Sequence, residues 1–185
     1  ASPYEEERTQ YGVGFEYLRG KVTYAAGFSN SSENDYEADT ANVSVSQDMF
    51  GDLTTVSLSF TRGWDDVTRR GDDAFADSVD RRIYGVNISQ IATKRLILGF
   101  SYDAITEEGF LNNPYRQVRY VDVDEALGYA YEAERYPRTR SSRALSFRAV
   151  GDLGSRDAMR VEYRYFWDNW DIKAHTLEAG YSRYI

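Results

Sequence analysis

The sequence predicts an all-β chain folded as an antiparallel transmembrane β-barrel of the outer-membrane type. Three observations carry this. Apolar residues recur at every second position through most of the chain, the period of a strand with two unlike faces. The connections between these runs alternate short and long, as in barrels with tight turns at one end and longer loops at the other. Aromatic residues crowd the strand ends, with charges on the opposite face.

The clearest unit is Met159 to Ile185. Met159, Val161, Tyr163 and Tyr165 share one face, and Arg160, Glu162 and Arg164 the other. Beyond a polar tip, Leu177, Ala179 and Tyr181 alternate with Thr176, Glu178 and Gly180. The same unit recurs from the start. A first strand, about Gln10 to Leu18, sets Tyr11, Val13, Phe15 and Tyr17 against Gly12, Gly14 and Glu16, and Arg19-Gly20 turns the chain. Val22, Tyr24, Ala26 and Phe28 lead into a polar loop, Ser29 to Asp39. Ala41, Val43 and Val45 mark the third strand, Phe50-Gly51-Asp52 a turn, and Val56, Leu58 and Phe60 the fourth. An acidic loop from about Gly63 to Ser78 holds Asp65, Asp66, Asp72, Asp73 and Asp77. Tyr84, Val86 and Ile88 form the fifth strand, and Ala92-Thr93-Lys94 a turn. In the sixth, Leu96, Leu98, Phe100 and Tyr102 stand against Arg95, Ile97, Gly99, Ser101 and Asp103. The longest loop spans roughly Thr106 to Thr139; Leu145, Phe147 and Ala149 follow, with a turn over Gly151 to Ser155.

Composition sets limits. The 185 residues suit one domain, and an aromatic content of 15% is that of a chain that folds. No run of 18 apolar residues exists to form a membrane helix, but a barrel strand needs only alternate apolar residues. A net charge of −8 argues against nucleic acid as a partner. The absence of Cys removes disulfides and thiol chemistry.

One face of these strands carries Gly, Ser, Thr, Asn and charges, which cannot pack a dry core. The other carries rows of Tyr, Phe, Val and Leu too regular to face water, so lipid is the medium expected for them. Lipid demands that every backbone group be paired, hence closure. An odd count of nine strands starts at one end of the barrel and finishes at the other, whereas single-chain bacterial barrels use even numbers. The expectation is therefore about nine to twelve visible strands of a larger barrel, with residues 1–185 one domain and an internal portion of a longer chain. The absence of an export signal ahead of Ala1 and the mid-pattern finish at Ile185 point the same way.

Ser29 to Asp39 (SNSSENDYEAD), Gly109 to Val118 (GFLNNPYRQV) and above all Tyr163 to Ala179 (YRYFWDNWDIKAHTLEA) resemble the bacterial family called domain of unknown function 3570. The opening Ala1-Ser2-Pro3, with Arg8, resembles an internal segment of that family. The resemblance covers most of the chain. It implies an outer-membrane β-barrel of Gram-negative bacteria in a family whose members are roughly twice this long. It implies no activity; on this resemblance, family members are often encoded beside a small lipoprotein and a flavin transferase, a hint of envelope redox traffic that assigns no role to these residues.

Candidate sites follow from the faces. Glu16, Arg95, Asp103, Arg148, Arg160, Glu162, Arg164 and Glu178 are expected to line the lumen, either setting pore selectivity or forming a salt-bridge lattice. Trp167, Asp168, Asn169, Trp170 and Asp171 form the tightest polar and aromatic cluster. It reads as a sugar, flavin or cation site, or as an aromatic girdle with a capped turn. His175, the single histidine, has Leu177 where an outer-membrane phospholipase carries Ser. It reads as a rim residue bonded to Asp168 or Asp171, and no catalytic residue is assigned. The acids of Asp65 to Asp80 and Asp122-Val123-Asp124-Glu125 match no calcium-loop spacing, so no metal or cofactor is assigned. The expected function is a channel or conduit across the outer membrane; the alternative is a scaffold that encloses or anchors a lipoprotein, redox or secretion partner. Outer-membrane lipid and lipopolysaccharide are the expected surroundings.

Overall fold

The computed structural model describes residues 7–72 and 74–183. The Ala1-Ser2-Pro3 opening, Asp73 and Ile185 lie outside the described residues. Strands account for nearly all the regular structure: β1 Thr9–Arg19, β2 Val22–Ser32, β3 Tyr36–Met49, β4 Thr54–Thr68, β5 Ala76–Thr93, β6 Leu96–Gly109, β7 Gln117–Val121, β8 Tyr129–Ala133, β9 Thr139–Gly154, β10 Asp157–Asp168 and β11 Lys173–Arg183. Nine of them form one antiparallel sheet in the order β1-β2-β3-β4-β5-β6-β9-β10-β11, and β7-β8 form a separate hairpin. Among the described residues the sheet is not closed: β1 pairs only with β2, and β11 only with β10.

Register explains why this sheet forms. Residues directly opposite in an antiparallel pair project to the same side. Val13 faces Phe28, Ala26 faces Val43, Val43 faces Phe60 and Phe60 faces Tyr84. Across the second half, Ile88 faces Phe100, Phe100 faces Phe147, Phe147 faces Tyr163 and Tyr163 faces Leu177. One apolar face thus runs unbroken over nine strands, and a slip of one residue anywhere would turn a whole strand inside out. Aromatic pairs reinforce the register: the rings of Phe60 and Tyr84 lie 5.1 Å apart and those of Phe100 and Phe147 5.2 Å, each adding about 0.5–1.5 kcal/mol beyond area burial.

No large side chain among the described residues is fully buried, and Val13, Phe15 and Leu177 are 71%, 66% and 73% exposed. A sheet with no enclosed apolar core needs an apolar neighbour. On the apolar face, polar positions bound the band: Thr54 faces Gln90 at one end and Arg62 faces Arg82 at the other. Eight residue steps separate them, about 26 Å of strand, or about 20 Å along the axis once strands tilt as barrel strands do. That is near the height of the apolar band of a membrane barrel.

The structure changes several sequence expectations. The polar loop Ser29 to Asp39 shrinks to residues 33–35, and the acidic loop Gly63 to Ser78 to residues 69–75, because β2 to β5 run on beyond the band. Outside the band both faces are polar, so alternation fades while backbone pairing continues. The 18 residues of β5 reach about 60 Å at 3.3 Å per residue, well past any apolar layer. The Thr106 to Thr139 loop contains the β7-β8 hairpin. The turn placed over Gly151 to Ser155 lies at Ser155-Arg156, both with positive φ, since β9 extends to Gly154. Arg95 belongs to the Lys94-Arg95 turn rather than to β6 and lies 3.8 Å from Asp152, so it is no wall residue.

A lysine facing lipid at midband costs about 2–4 kcal/mol, falling towards the edges. Val45→Lys, opposite Leu58 at midband, is therefore expected to lower the unfolding free energy of vesicle-inserted protein by that amount in a urea titration. Asn42→Lys, on the other face of the same strand, is expected to leave it nearly unchanged.

Candidate functional site

The polar face is built by the residues between the apolar ones. Its lower part carries Glu16 on β1, Asp103 on β6, Arg148 on β9, Arg160, Glu162 and Arg164 on β10 and Glu178 on β11. Arg148, Glu162 and Glu178 lie in register across three strands. Arg160 pairs with Glu178, and Arg164 lies over the Phe166 ring at 5.9 Å. Arg148 and Glu162 share a small polar recess of about 170 Å³ with Asn87, Gly99, Ser101 and Ser146.

The densest constellation lies higher and was not foreseen. Tyr36 on β3, Asp65 on β4, Arg81 on β5, Glu107 on β6, Arg140 on β9 and Asp168 on β10 form a rail of alternating charge across six strands. The Tyr36 hydroxyl donates to Asp65. Arg81 Nη1 is 4.0 Å from Asp65, and its Nε donates to Glu107 at 2.9 Å. Arg140 Nη1 is 4.0 Å from the other Glu107 oxygen, and its Nε donates to Asp168 at 2.9 Å. Asp65 and Asp168 are buried, their side chains 3% and 0% exposed. Such buried charges persist only when paired and hydrogen-bonded, as these are. Sequence reading placed Asp65 in an acidic loop; recognising that β4 and β5 continue upward on one parity would have put Asp65 and Arg81 on the polar face.

The connection after β6 roofs this rail. Gly109, at φ +124°, is where the chain turns inward, and a Cβ there would come within 2.0 Å of the Ser78 carbonyl oxygen. The Gly109 N–H donates to the Arg138 carbonyl at 2.8 Å and that of Phe110 to Ser78 at 2.9 Å. Farther on, the Tyr115 hydroxyl donates to Asp35 and accepts from the Arg70 N–H at 3.0 Å, so residues 110–115 reach across to the β2-β3 and β4-β5 loops. Beneath lies a cavity of about 440 Å³, walled by Tyr36, Arg81, Glu107, Arg140 and Trp170 and by this roof.

The Trp167 to Asp171 cluster divides between the two faces. Trp167 stacks on Tyr165 on the apolar side, centroids 5.2 Å apart. Asp168 turns to the polar side and caps the tip, accepting from the N–H groups of Trp170 and Ile172 at 2.9 Å each. Asn169 accepts from the Ser141 N–H at 2.8 Å, and Asp171 takes a positive φ in the turn. Trp170 donates to the Thr139 carbonyl and packs against Arg140 at 5.0 Å. His175 does not meet Asp168 or Asp171. It lies on the apolar face, with its Nδ1 2.7 Å from the Tyr163 hydroxyl and its ring 4.8 Å from Tyr165. Strand parity is the reason, since Asp168 and His175 project to opposite sides. Acids of the expected acidic stretch are instead paired with arginines, Asp72 with Arg69, Asp77 with Arg138 and Asp80 with both Arg62 and Arg82. Among the described residues no three His, Asp or Glu side chains converge.

The family model described as Protein of unknown function (DUF3570) matches residues 1–84 and 76–185. The chain belongs to this family. Among curated proteins, none matches this DUF3570 chain. Similar solved structures are a loop-L8 deletion mutant of OmpT, an outer membrane protein of Vibrio cholerae (TM-score 0.66, 11% identity), and in-vitro folded OmpT of the same organism (0.62, 10%). A porin refined at 1.8 Å also matches (0.56, 14%). They cover 94%, 95% and 94% of this chain, which spans 53%, 52% and 51% of theirs. At these identities the likeness establishes the fold, an outer-membrane β-barrel architecture, with the DUF3570 chain spanning about half the length of each.

The loops that hold the roof are tied by exposed ion pairs. The guanidinium of Arg138, donating to Asp77 at 2.7 and 2.8 Å, holds that carboxyl below its ordinary range, and Arg69 does the same for Asp72. A carboxyl with a lowered folded pKa contributes its stabilisation above its unfolded value of about 3.9 and loses it as pH falls through the folded one. Hydrogen exchange at Phe110 and Ser78 is therefore expected to accelerate once pH drops below about 4, beyond the intrinsic rate change, and Asp77→Asn to remove most of that step.

Proposed function

We propose that this DUF3570 protein forms part of the wall of an aqueous channel in the Gram-negative outer membrane. On this reading further strands pair with β1 and β11 to complete it, because lipid leaves no partner for an open sheet edge. The observation that carries the reading is the continuous polar face opposite the apolar one, crossed by the charged rail and roofed by residues 110–115. The rail and roof set the narrowest and most charged level of the passage. Glu33, Asp35 and Glu107 line this level, with Asp65 and Asp168 buried beside it, against three guanidiniums, Arg81 and Arg140 in the wall and Arg8 at 3.6 Å from Glu33. Rings of carboxylate favour cations, so the channel is proposed to prefer cations and small polar solutes.

A second reading is a barrel that encloses a partner such as a small lipoprotein. It is favoured by the inner faces of β1 and β2, where Gly12, Gly14, Ala25, Gly27 and Ser29 leave space beside Glu16.

The test is single-channel recording of the full-length protein in planar bilayers under a potassium chloride gradient. A cation-preferring conductance is expected. Glu107→Gln is expected to shift the reversal potential towards zero, and Gly109→Val, which has no room at Ser78, to displace the roof and raise conductance. A silent bilayer together with a co-purifying envelope protein would reject the channel in favour of the second reading.

A further inference from the structure

We infer that the lipid-facing rim just above the apolar band is a docking surface for phosphorylated lipid headgroups, gripped by Arg62, Arg82, Arg143 and Lys173. This rests on the membrane-barrel reading and adds to it a ligand chemistry and four residues.

Parity places all four on the lipid side. Arg62 follows Val56, Leu58 and Phe60 on β4, and Arg82 follows Ile88, Val86 and Tyr84 on β5. Arg143 follows Ala149, Phe147 and Leu145 on β9, and Lys173 follows Leu177 and His175 on β11. Register then joins them. Arg62 lies directly opposite Arg82, while Arg143 and Lys173 flank Trp167 in one row. Neighbouring strands lie about 4.8 Å apart, so Arg143 and Lys173 stand about 10 Å apart across β10.

Charge on this side is sorted by height. Asp39, Asp66, Asp80 and Glu108 all sit farther from the band than the arginines. Among the described residues Asp80 alone reaches back, 2.6 Å from Arg62 and 3.0 Å from Arg82. Two guanidiniums directly opposite one another repel; one carboxylate between them leaves a cation in excess. Both remain open to the surroundings, with side chains 50% and 44% exposed. Neither Arg143 nor Lys173 forms a side-chain ion pair or hydrogen bond among the described residues. Trp167 stands between Arg143 and Lys173, and Trp64 stands one pair beyond Arg62, which packs over its ring at 5.8 Å; indole rings prefer this membrane-edge setting.

The opposite edge of the band differs. There the lipid-side positions are Gln47, Thr54 and Gln90, and Arg183 is 3.7 Å from Asp157, so among the described residues Arg19 is the unpaired lipid-side strand cation, with Lys94 in the adjoining β5-β6 turn. A cationic tier at one edge, at headgroup height and next to acyl-facing side chains, matches an anion that arrives attached to acyl chains. The phosphate monoester or diester of a lipid in that leaflet meets this requirement.

The experiment uses the full-length protein, reconstituted from phosphatidylcholine doped with either phosphatidic acid or diacylglycerol of the same chains. Lipid retained after gel filtration in detergent is measured by mass spectrometry. Wild type is expected to enrich phosphatidic acid over diacylglycerol. Each interfacial cation changes such attraction by about fivefold at low salt, so Arg143→Gln/Lys173→Gln should cut the enrichment by up to roughly 25-fold. These two side chains hold no internal bond, and heat-modifiable gel mobility reports that the variant folds; if the pair does not, Lys173→Gln alone serves. Arg19→Gln is expected to leave the enrichment intact. Equal retention of the two lipids, or unchanged enrichment in the variant, overturns the proposal, and so does abolition of the enrichment by inorganic phosphate. Failure of the protein to enter the bilayer at all would instead strike the membrane reading.

Discussion

Everything in this fold depends on one constraint: a strand bordered by lipid must satisfy its backbone hydrogen bonds sideways, through its neighbours. Pairing in strict register then carries each strand's alternation across the sheet, so Val43, Phe60, Tyr84 and Ala104 end on one side and Asn42, Thr61 and Ile83 on the other. The apolar side gains its energy from the surrounding medium rather than from an interior, which is why the described residues hold almost no buried apolar side chains. The polar side is left free for charges that a packed core would reject.

How much of this was readable from the residues follows from where alternation is strong. Between Tyr11 and Tyr17, or Leu98 and Tyr102, apolar and polar residues alternate cleanly, and the strands lie where period two puts them. Beyond Phe60 the pattern Arg62-Gly63-Trp64-Asp65-Asp66 shows no apolar row, because both faces of β4 there are polar. Those residues read as a loop although pairing with β3 and β5 holds them extended. The rail of Asp65, Arg81, Glu107 and Arg140 was hidden for the same reason. With Tyr36 and Asp168 its members come from six strands, and only register brings them to one height. The tip cluster misled in the opposite sense. Residues adjacent in sequence, Trp167 and Asp168, serve different faces, so closeness along the chain suggested one site where the strand makes two surfaces.

The rail also shows how buried charge is managed. Asp65 and Asp168 are enclosed, yet each is bonded to a group on a neighbouring strand, so the cost of removing them from water is offset by geometry. Those bonds connect β3 through β10 above the apolar band, where lipid no longer enforces the sheet. The roof rests on this frame: Tyr115 ties it to Asp35 at one side, and Trp170 and Tyr136 pack at the other.

One pairing stands apart from the rest. Every neighbour in the large sheet is also next in sequence except β6 and β9, which are separated by the roof and the β7-β8 hairpin. Hairpins close locally at small entropic cost, whereas this seam must bring together ends about 30 residues apart. The wall is therefore two blocks of consecutive hairpins, β1 to β6 and β9 to β11, joined along a single seam of high sequence separation. The same geometry lets the intervening segment change in length or content without disturbing the register of either block.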